Sequence, residues 1–364
     1  MNIFSSAPQQ ESFRKFRRLA EPIPNGLPWT GGIGMARAAR RGGGRDERLR
    51  ARGGGAEQGL RTVRAGLRGG DYRPLSDEAV LRIDAAVHDI LEQVGLSNPT
   101  QSVIAHCTAK GAILGEDGRL RFPRQTVADA IGLAAKDLTL CARDPALDLH
   151  PGGQRVHYGT SGAAVHVVDP RTGEYRDSLL RDVYDMARVV DRCDNIHFFF
   201  RTVVARDISD PVELDINTLY AALQGTRKHV GVSFSEPRSV TLALEMLHEI
   251  AGGEAAWRAR PFVSTAPCFV VPPLTFATDA CECLEVAVRG GMPALLLAAG
   301  QAGATSPAAL AGAVAQEVAE TLAALVYVNA MVPGAPVILG PWPFVSDLRT
   351  GAMSGGSGEQ ALLM

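Results

Sequence analysis

Two apolar rhythms alternate along this chain from residue 76 onward, one with the period of a helix and one made of short unbroken runs. The first segment, SDEAVLRIDAAVHDILEQVG, places apolar residues at 80, 83, 87, 90, 91 and 94, the spacing of one helix face. Ser76 is a good N-cap, Asp77 and Glu78 suit the first turn, and Gly95 is placed to end the helix. Shorter helical patterns follow at 99–110 and 123–135, separated by turns such as GEDGR, so residues 71–150 read as a small helical N-terminal region. Beyond Val156 the unbroken runs take over, at 156–158, 196–204, 229–234, 262–271, 294–299 and 336–340. Helix-period segments separate them, at 180–192, 212–224, 237–251, 276–289 and 307–329. Buried runs bounded by Gly and Pro, recurring every 30 to 40 residues or so with a helix between, predict a parallel sheet in an α/β fold. Residues 163–175, with Asp169-Pro170 and Thr172-Gly173 at the tip, read as a hairpin inserted after the first strand.

Six strands fall short of the eight of a (β/α)8 TIM-type barrel, and two more units need roughly 60 to 80 further residues. The fold expected is therefore α/β, a barrel incomplete at the C-terminus, formed by residues 151–364. In such folds the chemistry sits in the loops after the strands.

Charge divides the chain unevenly. Residues 1–70 carry 14 Lys and Arg against 5 Asp and Glu, whereas the rest carries 23 against 34. The first stretch is rich in Gly and Arg, as in ARRGGGR and RARGGG, and holds too little apolar surface to offset ordering, so it reads as a disordered basic tail. An RNA-binding Gly/Arg arm is the alternative, but aromatics are nearly absent there, and the acidic remainder gives no electrostatic case for nucleic acid. The six cysteines lack a framework spacing, which suits free thiols in a reducing cytoplasm. No apolar run reaches the roughly 18 residues that span a bilayer, and no signal-peptide core opens the chain, so a cytoplasmic location without membrane contact is expected.

Several candidate motifs fail on spacing. His248-Glu249 begins like a zincin helix, but position 252 is Gly and no second His follows. Cys281 and Cys283, two apart on a helix, face different ways. Gly31, Gly32 and Gly34 have no preceding strand and no third partner glycine. No metal site is expected.

The strand-end loops collect a more coherent set. Tyr158 lies in HYGTSG, Glu236 follows the third run with Ser233 and Ser235, and Gln301 follows the fifth with Thr305. Trp342, Ser346, Asp347 and Arg349 follow the sixth. At one end of a barrel these form a cup with aromatic walls, carboxylates and one cation, a setting that suits quaternary ammonium groups.

Five stretches carry a resemblance. GQAGATSP (300–307), LVYVN (325–329), PGAPVI (333–338) and SDLRTGAMSGGS (346–357), with PLSDE (74–78), closely resemble the trimethylamine methyltransferase family over roughly residues 72–364. The resemblance implies an enzyme that moves a methyl group from a methylated amine to the cobalt of a corrinoid (cobalamin) carried by a separate protein partner. A homo-oligomer is compatible with it. Family members acting on trimethylamine carry pyrrolysine, expected beyond this chain's end, whereas the non-pyrrolysine relatives act on betaine-like substrates. For a betaine, Arg349 is the candidate partner of the substrate carboxylate, with a local bridge to Asp347 as the alternative. The family is usually longer at its C-terminus, so this chain is expected to be truncated. A barrel lyase or aldolase is the competing reading; it needs a Schiff-base lysine, and the nearest, Lys228, precedes its strand and so lies on the wrong face. A truncated chain that only binds a corrinoid protein is the non-catalytic one.

Overall fold

A computed structural model describes residues 67–69 and 72–364, which lie in one compact unit spanning Thr62–Met364. Most of the expected basic tail lies outside the described residues; at its end, β1 (Leu67–Arg68) pairs antiparallel with Arg155–Val156. The first helix, α1 (Asp77–Asp89), begins where the sequence places it, with Ser76 Oγ accepting the Ala79 amide at 3.2 Å. It runs on through a π-turn at Ile90–Val94, which Gly95 ends at φ 66°. Of the expected apolar stripe, Val87 and Leu91 are buried, while Val80 and Val94 at its ends are exposed. α2 (Gln101–Thr108), the small β2–β3 hairpin (Ile113–Leu114, Leu120–Arg121) and α3 (Arg124–Leu133) complete the helical region.

Next come β4 (Arg155–Val156) and the inserted hairpin β5–β6 (His166–Val168, Tyr175–Asp177), tied at its tip by Asp169 Oδ1, which accepts the Arg171 amide at 2.9 Å. From there strand and helix alternate: α4 (Leu180–Asp191), β7 (Phe199–Phe200), α5 (Pro211–Gly225), β8 (Val230–Val232), α6 (Pro237–Ala251), the short α7 (Glu254–Ala259) and β9 (Val263–Thr265). A small hairpin β10–β11 (Val270–Val271, Thr275–Phe276) leads to α8 (Thr278–Arg289) and β12 (Ala294–Ala298). The chain ends with β13 (Gln301–Ala302), α9 (Leu310–Met331), β14 (Val337–Pro341), β15 (Phe344–Ser346), β16 (Met353–Ser354) and α10 (Gly358–Leu363).

The main sheet has the order β14-β12-β9-β8-β7, and every pairing in it is parallel. The expected first strand is present beside β7 only as single parallel contacts, Gly159 with Phe198 and Ala164 with Val203. The sheet is open, and no closed barrel is present among the described residues. After β14 the chain runs on as β15, parallel to β13, and then turns back as β16, which pairs antiparallel with β15, so neither extends the main sheet.

Strand faces sort by burial. Along β12, Ala294, Leu296 and Ala298 are buried while Leu295 and Leu297 are half-buried, the alternation of a strand with one face fully covered. The helix α9 packs against β12, β14, α1, α2 and α3, joining the helical region to the sheet in one apolar core. At 22 residues α9, the helix expected at 307–329, is long and apolar enough to cross a membrane by length and composition, where the sequence reading expected no segment of that length and apolarity; most of it is buried in this core.

Candidate functional site

Two strand-end loops meet where β12 and β14 end. The Trp342 amide donates to Ala298 O at 2.8 Å and the Phe344 amide to Gly300 O at 2.8 Å, so the chain leaving β14 runs beside the chain leaving β12. That registers Gln301 opposite Phe344, and Ser346 Oγ, in a buried residue, donates to Gln301 Oε1 at 3.1 Å. The rings of Trp342 and Phe344 lie 5.0 Å apart, tilted by 41°, in residues that are both half-buried. A polar pair and an aromatic pair thus share one wall.

Asp347 and Arg349 follow this wall in a tight turn of their own. The Gly351 amide donates to Asp347 O at 2.7 Å, and Asp347 Oδ1 accepts the Arg349 amide at 3.0 Å and its Nε at 3.3 Å. These local bonds, led by that from the Arg349 amide, hold the Asp347 carboxyl below its usual range. The Arg349 side chain is 90% exposed. The local bridge to Asp347 is therefore the arrangement present, and Arg349 is not set into the wall to meet a ligand carboxylate.

Tyr158 and Glu236 stand elsewhere. Tyr158 was expected to end the first strand, but it pairs level with His197, ahead of β7: its amide donates to His197 Nδ1 at 2.9 Å and its carbonyl accepts the His197 amide at 2.7 Å. The strand-like pairing continues beyond it to Ala164, so Tyr158 belongs to the start of that run, and Gly159 after it allows the close approach of the Phe198 ring. It also lies past β7, at the edge of the sheet opposite β14. Glu236 is the residue before α6, after β8, two strands from β12, and makes no hydrogen bond or ion pair with the Trp342 wall. Of Tyr158, Glu236, Gln301, Trp342, Asp347 and Arg349, the structure brings together Gln301 and Trp342, with Asp347 and Arg349 following Trp342 in the chain.

The groups behind the wall were not anticipated. One side of α9 carries Gln316, Glu317 and Glu320, all buried. Glu317 Oε1 accepts the Gly300 amide at 3.0 Å, and Glu320 Oε1 accepts the Leu274 amide at 2.8 Å. Gln316 Nε2 reaches Thr305 O at 3.1 Å and Glu320 Oε1 at 3.2 Å. The Oε2 atoms of both glutamates are buried without a partner. Burial, and for Glu317 the neighbouring Glu320, raises Glu317 to about 8 and Glu320 to about 7. A sequence signal existed: two glutamates three residues apart on a helix with no Lys or Arg in it to pair them.

A second buried cluster lies behind β7 and β8. Asp215 of α5 accepts the Ser235 amide at 2.7 Å and its hydroxyl at 3.2 Å, and Arg201 after β7 has a buried Nε without a partner. At the other end of the sheet Lys228 is fully buried, and its Nζ donates to the carbonyls of Val190, Cys193 and Ile196 at 2.7, 2.7 and 2.6 Å. With all three protons so placed at the closed end of α4, Lys228 is a helix-capping residue and not a Schiff-base nucleophile. Among the described residues no group of three or more His, Cys, Asp or Glu is arranged to hold a metal ion.

A parallel α/β sheet with aromatic and polar groups gathered in the loops after adjacent strands defines a protein with its candidate site at the strand ends. This chain belongs to the trimethylamine methyltransferase family, whose model matches residues 40–364. It is 31% identical over 291 residues to trimethylamine methyltransferase MttB of Desulfitobacterium hafniense, covering 79% of this chain and 58% of that protein. Over 248 residues it is 30% identical to trimethylamine methyltransferase MttB1 of Methanosarcina mazei, covering 67% of this chain and 50% of that one. The glycine betaine methyltransferase of Desulfitobacterium hafniense is 26% identical over 296 residues, 80% of this chain and 60% of that protein. The chain thus spans about half to three-fifths of the length of these relatives.

Proposed function

We propose that this chain is part of a cytoplasmic methyltransferase that moves a methyl group from a small tertiary or quaternary methylated amine to the cobalt of a corrinoid presented by a separate protein. Its open sheet is then an arc of a (β/α)8-type barrel. The observation that carries the reading is the half-buried Trp342–Phe344 pair beside Gln301 and Ser346, at the strand ends of a chain matched to this family over residues 40–364. Aromatic faces attract an alkylammonium cation through the ring quadrupole, and Asp347, kept ionised by its turn, adds negative charge nearby.

The methyl acceptor supplies the nucleophile. The residues of this chain position the donor and keep water away from it. When the N–CH3 bond breaks, its electron pair stays on nitrogen, so a quaternary substrate leaves as a neutral amine without a proton being supplied, while a tertiary amine reacts as its protonated ammonium and keeps that proton on the departing neutral amine. The aromatic wall binds the cationic reactant better than the neutral product, which favours release after transfer. Ser346 and Gln301, bonded to each other, give the wall a polar edge for whatever oxygen the substrate bears.

The test mixes the chain with reduced cobalamin and either trimethylamine or glycine betaine, and follows the cobalt absorption spectrum. Substrate-dependent conversion to methylated cobalt is expected. Trp342→Ala is expected to weaken binding of the cation by about 0.5–2 kcal/mol, measured by calorimetric titration. Unchanged affinity in that variant removes the wall from the site.

A further inference from the structure

The buried turn of α9 makes contact with each chain segment that shapes the wall. Glu317 bonds to the Gly300 amide, the residue before Gln301, and the Trp342 amide also acts on its carboxyl. Gln316 holds Thr305, whose Oγ1 in turn accepts the Gln301 amide at 2.9 Å. Glu320 holds Leu274, a non-glycine residue at φ 49°, whose carbonyl accepts the Ser97 amide at 2.9 Å. The fit is tight: a Cβ at Gly300 would collide with Ser306 Oγ and come within 2.8 Å of Glu317 Oε1. Buried carboxylates without a cation are costly, and a proton is the simplest way to lower that cost.

Among the described residues no cation is paired with either carboxyl. Toward Glu317 the β12 and β14 loops present the backbone amides of Gly300 and Trp342, and toward Glu320 the segment before β11 presents the Leu274 amide and α9 itself presents Gln316. Among the described residues the ionisable group acting on Glu317 is Glu320. Glu285 of α8 and His106 of α2 meet α9 at Tyr327, further along, where Tyr327 Oη donates to Glu285 Oε2 at 3.1 Å and the Tyr327 and His106 rings lie 6.4 Å apart. No charged side chain of α1, α3 or α10 acts on either carboxyl.

We propose that Gln316, Glu317 and Glu320 form a protonation-dependent clamp that positions the Gln301–Trp342 wall, gripping it while the carboxyl pair holds a proton and loosening it when both carboxyls ionise. They are positioning residues, acting through the loops they hold. The inference rests on the Trp342 wall being the substrate site, but its test does not depend on turnover. Mutual repulsion between two carboxylates deprived of their proton, each bonded to a different loop, pushes Gly300 and Leu274 apart. The raised values of about 8 and about 7 put the change in the neutral to mildly alkaline range.

The test uses the full chain labelled with 5-fluorotryptophan, with the Trp342 resonance assigned by a Trp342→Phe variant and its 19F shift followed from acid to alkaline pH. In the wild type the Trp342 signal is expected to titrate between about pH 6 and 9, while that of the buried Trp257 stays fixed. In Glu317→Gln/Glu320→Gln the titration is expected to disappear, and in Asp347→Asn it is expected to persist. A wild-type Trp342 signal that does not move, or one that moves identically in the double variant, overturns the proposal. Should the double variant fail to fold, the wild type and Asp347→Asn still decide: a titration lost in Asp347→Asn assigns the proton to the turn and ends the clamp. A titrating Trp342 in a chain that transfers no methyl group leaves the clamp standing and counts against the functional reading alone.

Discussion

Replacing Lys228 by Met removes the ammonium and keeps most of the aliphatic stem, so it isolates the work of three hydrogen bonds in a fully buried residue. The three acceptors are not equivalent. Val190 O also accepts the Cys193 amide at 3.1 Å, and Cys193 O accepts the Ile196 amide at 3.3 Å, whereas Lys228 is the donor to Ile196 O. The substitution therefore orphans one carbonyl, costing about 1–3 kcal/mol, and removes a second bond from the other two, about 0.5–1.5 kcal/mol each. Against this, burial holds the lysine below its usual pKa, so part of what the bonds contribute already offsets desolvation. The net expectation is a loss of about 2–4 kcal/mol. Urea unfolding followed by far-UV circular dichroism reads it as a lower midpoint, with the slope unchanged. A Lys228→Met midpoint indistinguishable from wild type would refute the capping argument.

Glu317→Gln/Glu320→Gln should change how stability depends on pH. Carboxyls raised from 4.5 to about 8 and about 7 bind more protons when folded, so their stabilising contribution is whole below about pH 4.5 and is lost as pH rises toward 8. The double variant should lack that fall and exceed the wild type in melting temperature at pH 8.5; a wild-type advantage that grows with pH would contradict this. His229, pushed down to about 4, acts oppositely and in a lower window, which a difference curve between the two proteins cancels. Gly300→Ala should cost about 1–3 kcal/mol through the collision with Ser306, read by the same urea titration. Arg349→Ala, with its side chain in water, should lie within about 0.5 kcal/mol of wild type and leave glycine betaine binding unchanged; a selective loss of betaine affinity would restore it to the site.

The larger part of the fold was legible because burial and period agree. Pro237–Ala251 starts and stops where its pattern does, since Pro at the first position and Gly252 at the end punctuate it. Each apolar run fell on or beside a strand, but most of the strands are shorter than the runs: 196–204 contains only Phe199–Phe200, because beyond the Arg201 amide, which bonds to Gly231 O, the chain keeps only the single parallel contact of Val203 with Ala164 while staying buried or half-buried. The hairpin came out two residues longer at its C-terminal side, Tyr175–Asp177 pairing with His166–Val168. Gln301 and Trp342 were legible because each follows a recognisable strand. Tyr158 was misplaced because a single strand's end cannot be located without its partner's register. Glu317 and Glu320 were missed because in a helix rich in Ala and Leu a glutamate ordinarily faces solvent, and only packing shows that this helix is covered on all sides.

That coverage has a consequence before the fold exists. A nascent segment with the length and apolarity of Leu310–Met331 resembles cargo for the membrane-insertion machinery, which judges a helix by transfer energy and not by its eventual neighbours. Gln316, Glu317 and Glu320 lie between the middle of its first half and its midpoint, where lipid solvates a carboxyl or an amide poorly. The side chains that later grip the loops thus tax partitioning into a bilayer while the helix waits for its sheet.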